Sequence, residues 1–530
     1  MRRWNGWGDE SITVELPAHG AAFLTAILGV GRPLPNASLE SVRARVPAAR
    51  LADHPLLVTA ADDRLKHARG QSLPDWLAMH SGDFGVFPDA VAYPETAAQI
   101  RELLAWVSRQ DATLIVYGGG TSVTGHITPQ AGSRPILTLS LERMNRLLEL
   151  DEESQIATFG PGANGPQVES QLQARGFTLG HFPQSWELST LGGWVASRSS
   201  GQQALRYGRI EQLFAGGSLE TFAGSLQIPT FPASSTGPDL REIVMGSEGR
   251  FGVISEVRVR VTRLPEQEYF RTVFLPTWSQ ALRAVRLLVQ ARIPLSMLRL
   301  SNAIETETQL ALAGRPQPIA ILEKYLSWRG ARHGKCMLTF GVTGNRLQNI
   351  ASLKQVKKIL GDFGGVFTGS LLGKKWRENR FRFPYLRESL WQAGYAVDTL
   401  ETATDWVHVD SLLQQVENSL HEGLAAEPVH VFTHLSHAYG EGSSLYITYV
   451  FRLADSYAAT LQRWKTLKQA ASQTIVNHHG TISHQHGVGR DHAPYLSVEK
   501  GLLGVAALQA LALHFDPERR LNPGVLLQEE

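Results

Sequence analysis

Apolar residues recur along this chain with two different periods, and each period predicts a different kind of element. A helix capped by Thr96 is predicted where apolar residues fall three and four positions apart, at Ile100, Leu103, Leu104 and Val107. Strands are predicted for the apolar runs 113–116, 135–141 and 156–162, with a charged helix-turn segment between the last two. From Val253 to Thr262 valines alternate with arginines, which is typical of a strand with one exposed face.

The pattern changes after Pro265 to strand, helix, strand. A second passage of this kind runs from Val429 to a helix around Trp464. Two α+β halves of this kind predict one antiparallel sheet covered by helices. A domain boundary is therefore expected near residue 265.

Two apolar stretches are shorter than the about 20 residues that a membrane-spanning helix needs. The run 21–31 follows Glu10 and Glu15, where a signal peptide would carry positive charge, and it predicts a helix. The run 500–515 contains Lys500 and His514, and we expect a buried helix there. With neither an export signal nor a peroxisomal address in the sequence, a cytoplasmic protein is expected.

Composition excludes several classes of protein. The chain has 530 residues, enough for several cores, and its 51 basic and 49 acidic residues leave a formal charge of +2. That balance gives no general support for wrapping a nucleic acid. Cys336 is the single cysteine, so neither an intramolecular disulfide nor a thiolate-rich metal cluster can form within the chain.

Three glycine-containing segments indicate a ligand that approaches the backbone closely. The first, at 117–125, follows a predicted strand and can cradle a diphosphate. It has neither the GxGxxG nor the GxxxxGK[ST] pattern, so nicotinamide and P-loop sites lose their main support. Taken alone, each segment could also be a tight turn or a close helix contact. The candidate cofactor-binding residues of the three segments are Gly118, Gly119, Gly120, Thr121, Ser122, Val123, Ser189, Thr190, Gly192, Gly193, Ser199, Glu248, Gly249, Gly252, Val253 and Ile254.

In order and spacing, the three segments resemble the vanillyl-alcohol-oxidase type of FAD-binding family and, within it, the alkyldihydroxyacetonephosphate synthases. The resemblance covers most of the chain and also rests on RWNGWG at 3–8, YGRIEQL at 207–213 and SHQHGVGR at 483–490. It implies an α+β protein with a two-subdomain FAD-binding fold, also called the PCMH type, and an α+β cap domain with an antiparallel sheet. It also implies non-covalent FAD, held by the three segments.

The domains expected on this basis follow the boundary at 265. A partly helical N-terminal extension covers 1–82, and the FAD-binding domain with its two subdomains covers 83–265. The cap, or substrate, domain covers 266–480. A C-terminal segment over 481–530 returns to the FAD-binding domain.

The chain departs from the synthases at two positions. Gln485 stands where the synthases have the middle of three histidines, and Tyr117 replaces the proline that begins their glycine loop. His126, just past that loop, could tether a flavin covalently in other branches of the fold, but the resemblance argues against a tether here.

By resemblance, Tyr446 handles the substrate proton and His484 and His486 assist the leaving group. A free phenol, with a pKa of about 10, is a poor base near neutral pH, so neighbouring cations are expected to stabilise its anion. In an extended segment both imidazoles point to one side, which also suits two ligands of a metal. The stretch 433–446 lacks the GDGN core of metal-binding flavin dehydrogenases, so no metal is expected. A solvated strand tyrosine and structural histidines, His434 and His437 among them, remain alternatives.

Arg299 and Arg387 resemble family arginines near a substrate phosphate, which a guanidinium binds through two parallel hydrogen bonds. Either could instead be a surface charge. The basic run at Lys374, Lys375 and Arg377 could be a solvated face or a loop over the substrate.

The resemblance implies a transferase that exchanges the acyl chain of acyl-dihydroxyacetone phosphate for a fatty alcohol, in ether lipid synthesis, without net redox change. In that family, oxidised flavin serves as an electrophile. A phosphorylated ketone ester and a fatty alcohol are the expected small-molecule partners, and peripheral membrane contact and a homodimer are further hypotheses. Two rivals stay open: an FAD-linked oxidase or dehydrogenase of a small 2-hydroxy acid, and a non-catalytic flavin-binding protein, which Gln485 motivates.

Overall fold

The computed structural model describes residues 2–529. The prolines of the first 82 residues separate short helices that pack against the larger, later part of the chain. Trp7, Val42 and Trp76 share one hydrophobic core with residues between 273 and 475. These helices are α1 (Ala18–Leu28), α2 (Leu39–Arg43), α3 (Ala61–Lys66) and α4 (Leu73–Ser81).

The first sheet places the glycine loop at the end of a buried strand. Its strands are β1 (Leu57–Val58), β2 (Ala90–Ala92), β3 (Thr113–Tyr117) and β4 (Ile136–Ser140), in the order β1-β2-β4-β3. Strand β4 is parallel to both β2 and β3. Helix α5 (Ala97–Arg109) starts at Thr96, whose side chain accepts the Gln99 N–H, and it buries the four predicted apolar residues. The predicted helix and strands of this region are confirmed.

The second sheet is antiparallel and has the order β5-β6-β10-β8-β9. Its strands are β5 (Leu147–Asp151), β6 (Ile156–Phe159), β8 (Phe214–Thr221), β9 (Gly224–Ile228) and β10 (Val253–Arg260). Two short strands, β7 (Phe177–Thr178) and β11 (Thr262–Arg263), pair with each other. The helices of this region are α6 (Gly165–Gln173), α7 (Leu191–Ser197), α8 (Ala204–Tyr207), α9 (Ile210–Leu213) and α10 (Leu240–Val244).

Within the second sheet, one prediction holds and another is wrong. The alternating run forms β10, with Val257 and Val259 buried and the arginines between them only partly so. The charged helix-turn segment is instead strand β5, hydrogen-bonded to β6. Leu147 and Leu150 pack against the core there, and pairing with β6 outweighs the local charge pattern.

The cap sheet has seven strands, all antiparallel to their neighbours, in the order β15-β12-β14-β13-β17-β18-β16. The predicted single antiparallel sheet covered by helices is confirmed. The strands are β12 (Gln267–Leu275), β13 (Met297–Ser301), β14 (Cys336–Gly344), β15 (Val366–Phe367), β16 (Tyr395–Asp405), β17 (His430–Leu435) and β18 (Gly442–Arg452). The helices are α11 (Trp278–Gln290), α12 (Ala303–Leu312), α13 (Pro316–Trp328), α14 (Arg346–Asp362), α15 (Leu371–Asn379), α16 (Phe383–Gln392), α17 (Val409–Glu422) and α18 (Tyr457–Asn477).

The last 50 residues connect the cap to the first sheet. The segment 481–486 runs beside the edge strand β16, where the main-chain N–H groups of Thr481 and His484 donate to the carbonyls of Ala403 and Glu401. Further on, the Leu114 N–H donates to the Arg520 carbonyl, beside the first sheet. This path brings the 484–486 segment into contact with both halves of the molecule.

The expectation of a buried helix at 500–515 is wrong. Helix α19 (Leu496–Phe515) buries only one face, and Leu502 and Leu503 are each 85% exposed. By length and composition alone, the stretch Ala493–Phe515 could cross a membrane. Its backbone breaks at Gly501, however, where φ is 67°, so the regular helix after the break is only about 20 Å long.

Candidate active site

A cavity of about 470 Å³ lies where the glycine segments meet the cap sheet. Every candidate cofactor-binding residue lines it except Val253, which is buried at the start of β10. Of the predicted catalytic and phosphate-binding residues, Tyr446, His486, Arg299 and Arg387 line it. The structure therefore brings most of the predicted site into one place.

The glycine loop packs so closely on the second segment that side chains are excluded. A Cβ on Gly119 would lie 1.9 Å from the Leu188 carbonyl oxygen, and Gly120 has a φ of +66°, which favours glycine. Arg2 stabilises the loop, because its Nη2 donates to the Tyr117 hydroxyl at 3.0 Å and to the Gly119 carbonyl at 2.9 Å. Tyr117, one of the two departures from the synthases, is thus built into the cradle.

Polar atoms without protein partners face the cradle. The hydroxyls of Ser200 and Ser247 are buried, line the cavity and have no hydrogen-bond partner within residues 2–529. Buried hydroxyls are almost always hydrogen-bonded in proteins. Together with the bare backbone of the glycine loop, they provide donors that suit the oxygen-rich diphosphate and ribityl portions of FAD.

Glu248 ties the third segment to the C-terminal segment. Its carboxylate accepts the Val488 N–H at 2.6 Å and the Gly489 N–H at 2.8 Å. His126 Nε2 lies 3.0 Å from the same carboxylate, and His126 Nδ1 lies 2.6 Å from Ser122 Oγ. Because Nδ1 contacts the Ser122 hydroxyl and Nε2 lies against a carboxylate, the surroundings of His126 favour a non-covalent flavin.

Tyr446 lies on β18 between two imidazoles. The ring of His434 stacks on it at 4.7 Å, and the ring of His486 meets it edge-on at 5.8 Å. Burial, reinforced by the negative charge of Glu401, raises the pKa of Tyr446 to about 12. The expectation that neighbouring cations lower this pKa is wrong for the protein alone, so at neutral pH Tyr446 is a phenol that can donate a proton.

The two histidines of the 484–486 segment have different surroundings. His486 lines the cavity, and burial lowers its pKa below 6.5, so it is neutral at pH 7 and can accept a proton. His484 lies behind the wall, with Nδ1 3.1 Å from Glu401 Oε1 and Nε2 2.7 Å from the Tyr439 hydroxyl. Burial lowers its pKa to about 4. The prediction that both imidazoles face the substrate is therefore wrong for His484.

Glu401, His437 and His484 have the spacing of a metal site, with their ligand atoms within 4.8 Å of one another. The hydrogen bonds assign them another arrangement. Arg209 can only donate, and its Nη1 contacts Nε2 of His484, which must therefore be an acceptor. The proton of neutral His484 is then on Nδ1, where it points at Glu401 and blocks the lone pair that a metal would need.

The two candidate arginines differ in how they are paired. Arg299 donates to Glu305 at 2.7 Å, and His434 and Arg299 together lower the pKa of the buried Glu305 to about 2, against the effect of burial. Arg387 donates one N–H to the Gln71 carbonyl, while its buried Nε and Nη2 have no partner in the described part of the chain. Burial lowers the pKa of Arg387 to about 10, still well above neutral. Arg387 therefore offers a charged pair of donors to an anion in the cavity.

One part of the cavity wall, the apolar arm, is formed by apolar side chains that pack together, and no sequence pattern indicated it. Helix α1 closes part of this arm and packs tightly on α12, where a Cβ on Gly20 would lie 2.8 Å from Leu312 Cδ2. The arm is lined by Leu24, Leu312, Leu386, Leu390, Phe432 and Val450.

Sequence reasoning missed three residues that organise the site. Arg209 and Glu211 form a close ion pair, and Arg209 also reaches the His484 carbonyl. Both lie in YGRIEQL, a segment already singled out, which was the available signal. Glu401 had no comparable signal, since it is one acidic residue in a long strand. The basic run at 374–377 lies on α15, where Arg377 is exposed and 3.3 Å from Glu268.

Comparisons with known proteins agree with this geometry. A model described as "FAD binding domain" matches residues 88–226, and one described as "FAD linked oxidases, C-terminal domain" matches residues 264–526. The alkyldihydroxyacetonephosphate synthase of Trypanosoma brucei brucei is 27% identical over 99% of this chain and 92% of its own. The Dictyostelium discoideum synthase is 29% identical over 88% and 77%.

Among solved structures, an alkyldihydroxyacetonephosphate synthase superposes with a TM-score of 0.85 at 24% identity, over 98% of both chains. The predicted α+β architecture, a two-subdomain FAD-binding fold of the vanillyl-alcohol-oxidase type with an antiparallel cap sheet, is confirmed.

Proposed function

Since the chain belongs to the FAD-linked oxidases of the vanillyl-alcohol-oxidase type and is related to the alkyldihydroxyacetonephosphate synthases, we propose that it exchanges the acyl chain of acyl-dihydroxyacetone phosphate for a fatty alcohol. FAD is its cofactor. The products would be an ether lipid precursor and a free fatty acid. The two sides of this reaction balance without an external oxidant or reductant.

The observation that carries the proposal is the pairing of Arg387 with the apolar arm in one cavity. The unpartnered donors of Arg387 suit a phosphate, and the leucine-lined arm suits a long alkyl chain. A small 2-hydroxy acid would use the arginine but not the arm. The cavity therefore favours a substrate with a charged head and an apolar chain.

Different residues of the chain bind the cofactor, bind the phosphate and transfer protons. The glycine segments and the Ser200 and Ser247 hydroxyls would hold FAD, whose oxidised ring supplies an electrophile and an electron sink. Arg387 orients the phosphate, and Arg299, which is paired with Glu305, is a partly neutralised second cation in the wall of the same cavity. Tyr446 begins as a proton donor and His486 as a proton acceptor, both within the cavity wall.

Product analysis tests the proposal directly. Purified yellow protein is incubated with acyl-dihydroxyacetone phosphate and hexadecanol, and the lipids are analysed by mass spectrometry. The expected result is an alkyl ether carrying the added alcohol, together with released fatty acid. If the flavin stays bound and no ether forms, the proposal is overturned.

The two rival functions give different results with the same preparation. A hydroxy acid dehydrogenase would bleach the flavin absorbance rapidly on anaerobic mixing with its substrate. A non-catalytic flavin protein would show neither bleaching nor ether. Gln485, which motivated the latter, makes two hydrogen bonds in the structure and lines the cavity.

We also propose that the protein contacts a membrane peripherally and takes up its fatty substrate from it. The exposed apolar face of α19 supports this proposal. Sedimentation with lipid vesicles tests it, and the double change Leu502→Gln and Leu503→Gln should weaken it. The alternative is a homodimer that forms through the same face. Light scattering of the parent protein and of the double variant, both without lipid, distinguishes a dimer from membrane contact. Cytoplasmic localisation remains a proposal that cell fractionation can test.

A further inference from the structure

Glu401 is a buried carboxylate at which several parts of the site converge. It lies on the edge strand β16, directly opposite Tyr446 of β18, and its side chain is fully buried. A buried charge of this kind is costly unless hydrogen bonds compensate it. The contacts of its two oxygen atoms show what those bonds hold in place.

Each oxygen of Glu401 binds a different set of groups. Oε1 accepts from the Ser436 hydroxyl at 2.7 Å and from His484 Nδ1 at 3.1 Å. Oε2 accepts from Gln485 Nε2 at 2.6 Å and lies 3.7 Å from His486 Nε2. The carboxylate therefore contacts three successive side chains of the 484–486 segment, and Glu401 also binds this segment through its main-chain carbonyl.

The proton position on His484 follows from its other contacts. Arg209 and the Tyr439 hydroxyl both approach Nε2, and an arginine is never an acceptor. Neutral His484 thus carries its proton on Nδ1 and donates it to Glu401. A histidine locked at both nitrogens cannot shuttle protons and serves to fix the segment that it belongs to.

Gln485 is compatible with the same arrangement. Its amide nitrogen donates to Glu401, while its carbonyl oxygen accepts the Ser200 N–H at 3.2 Å. A carboxamide supplies both N–H donors and an acceptor oxygen without changing its charge with pH. Gln485 therefore links the cap strand β16 to the second glycine segment.

We propose that Glu401 is a positioning residue that holds the 484–486 segment against the cap sheet, so that His486 faces the cavity beside Tyr446. His484 and Gln485 are its two anchors. The kinetic part of this inference rests on the proposed function, whereas the hydrogen bonds can be tested without any turnover.

The first test compares two glutamate variants in the flavin-loaded enzyme. Glu401→Gln keeps the shape of the side chain but places a donor against the amide nitrogen of Gln485. Glu417→Gln changes a glutamate of the cap that bonds Thr433 and Asn302 away from the cavity. We expect kcat of E401Q to fall by about 10- to 100-fold with KM within about threefold, as for other residues that orient a reactive group. E417Q should keep the parent kcat.

A double variant separates positioning from a general loss of structure. When E401Q is combined with Gln485→Glu, the amide and the carboxylate exchange places, and the carboxylate now at position 485 can still accept the Ser200 N–H. We expect the kcat of this double variant to be at least tenfold higher than the kcat of E401Q. Unchanged kcat in E401Q, or a double variant no better than E401Q, would overturn the proposal.

Histidine NMR detects the hydrogen bond between His484 and Glu401 without an assay of activity. In ¹⁵N-histidine-labelled protein, the signal that disappears in His484→Gln should show the neutral Nδ1–H tautomer from pH 5.5 to 8.5. In E401Q its Nδ1 proton should move upfield, because a neutral amide replaces a charged acceptor. An Nε2–H tautomer, or no shift in E401Q, would overturn the assignment. If no ether is formed but these signals appear, the proposed function fails and the anchoring by Glu401 stands.

Discussion

At the scale of single residues, the cavity is marked by donors that the protein itself leaves unused. Ser200, Ser247 and Arg387 each have buried polar atoms without an acceptor among residues 2–529. Such atoms are costly in a folded protein unless a ligand completes their hydrogen bonds. They indicate where the diphosphate-containing cofactor and a charged substrate would bind.

The glycines of the cradle, Arg299 and Arg387 could be predicted from the sequence because they stand in local motifs, whereas Arg209 was missed. Gly118 to Gly120 form one continuous cradle, and Arg387 stands in a recognisable segment. Glu401 could not be predicted, since its partners are 35 to 85 residues away and meet it only through sheet pairing. The direction of the phenol pKa was also predicted wrongly, because burial of Tyr446 raises it most and Glu401, which faces Tyr446 across β16 and β18, raises it further.

Arg387→Met should raise KM for the acylated ketone phosphate by about 100-fold and leave KM for the alcohol unchanged. The reason is the loss of charge-assisted hydrogen bonds to the phosphate, each stronger than a neutral one. Thermal stability should change little, because the loss of the Gln71 hydrogen bond and of the contact with the Trp76 ring is offset by removal of a buried charge with two unpartnered nitrogens. Steady-state kinetics and a melting curve check both points. Arg377→Met, at an exposed position of α15, is the control, and equal KM values in the two variants would contradict the role of Arg387.

Tyr446→Phe should lower kcat at least 100-fold with the flavin spectrum intact, because only the hydroxyl is removed. With a phenol pKa of about 12, the parent enzyme should show no alkaline loss from this group up to pH 9, and a lowered His486 pKa places the acid limb below pH 6.5. A pH–rate profile and the exposed control Tyr325→Phe test this. A rate that climbs steadily to pH 10 would show that the phenolate, not the phenol, is the active form.

At the scale of elements, the periodicity of apolar residues predicted correctly those helices and strands whose own buried residues determine their structure. Helix α5 and strand β10 follow their patterns because one face of each is buried, and strand β3 follows its apolar run because both of its faces are packed. Strand β5 and helix α19 do not. The first is fixed by pairing with β6, and the second has an apolar face that the rest of the described chain leaves exposed. Neither pairing nor coverage is encoded in the residues of the element itself.

The pairing of α1 with α12 gives a prediction about chain length. Leu312 of α12 and Leu24 of α1 narrow the apolar arm, so a larger side chain there should exclude longer alcohols. We expect Leu312→Phe to shift the product distribution toward shorter chains by at least two carbons when a mixture of C10 to C18 alcohols competes. Mass spectrometry of the ethers measures the shift.

Ile304→Phe, on the exposed side of the same helix, is the matched control for this change. The control should keep the parent distribution. If both variants, or neither, alter the product distribution, then the apolar arm does not select alcohols by chain length.

At the scale of the whole molecule, the C-terminal segment joins the two halves that build the cavity. It runs along β16 of the cap, binds Glu248 of the third glycine segment and ends beside the first sheet. The chain thus passes between the cofactor cradle and the cap near residue 265 and again through the C-terminal segment, in addition to the packing between them. Stability of the halves should therefore respond together to a change in pH.

Buried histidines make the protein sensitive to acid. Burial lowers the pKa of His430 and His484 to about 4, and those of His80 and His181 to about 3, against about 6.5 when unfolded. Each neutral site favours the folded state fully above pH 6.5, and this contribution is lost as pH falls from 6.5 toward 4, by about 2 kcal/mol per group at pH 5. Asp491, with a pKa raised to about 6, acts in the opposite sense, but the histidines outnumber it.

The apparent Tm should therefore fall by about 5 °C between pH 7.5 and pH 5, as followed by flavin fluorescence and circular dichroism. His430→Asn removes one of these groups, whose Nε2 now contacts Thr308 Oγ1 at 2.9 Å, and should make the fall smaller even if the variant is less stable at both pH values. His514→Asn, at an exposed position of α19, should leave the fall unchanged. A fall of equal size in all three proteins would mean that groups other than the buried histidines bind the protons on unfolding.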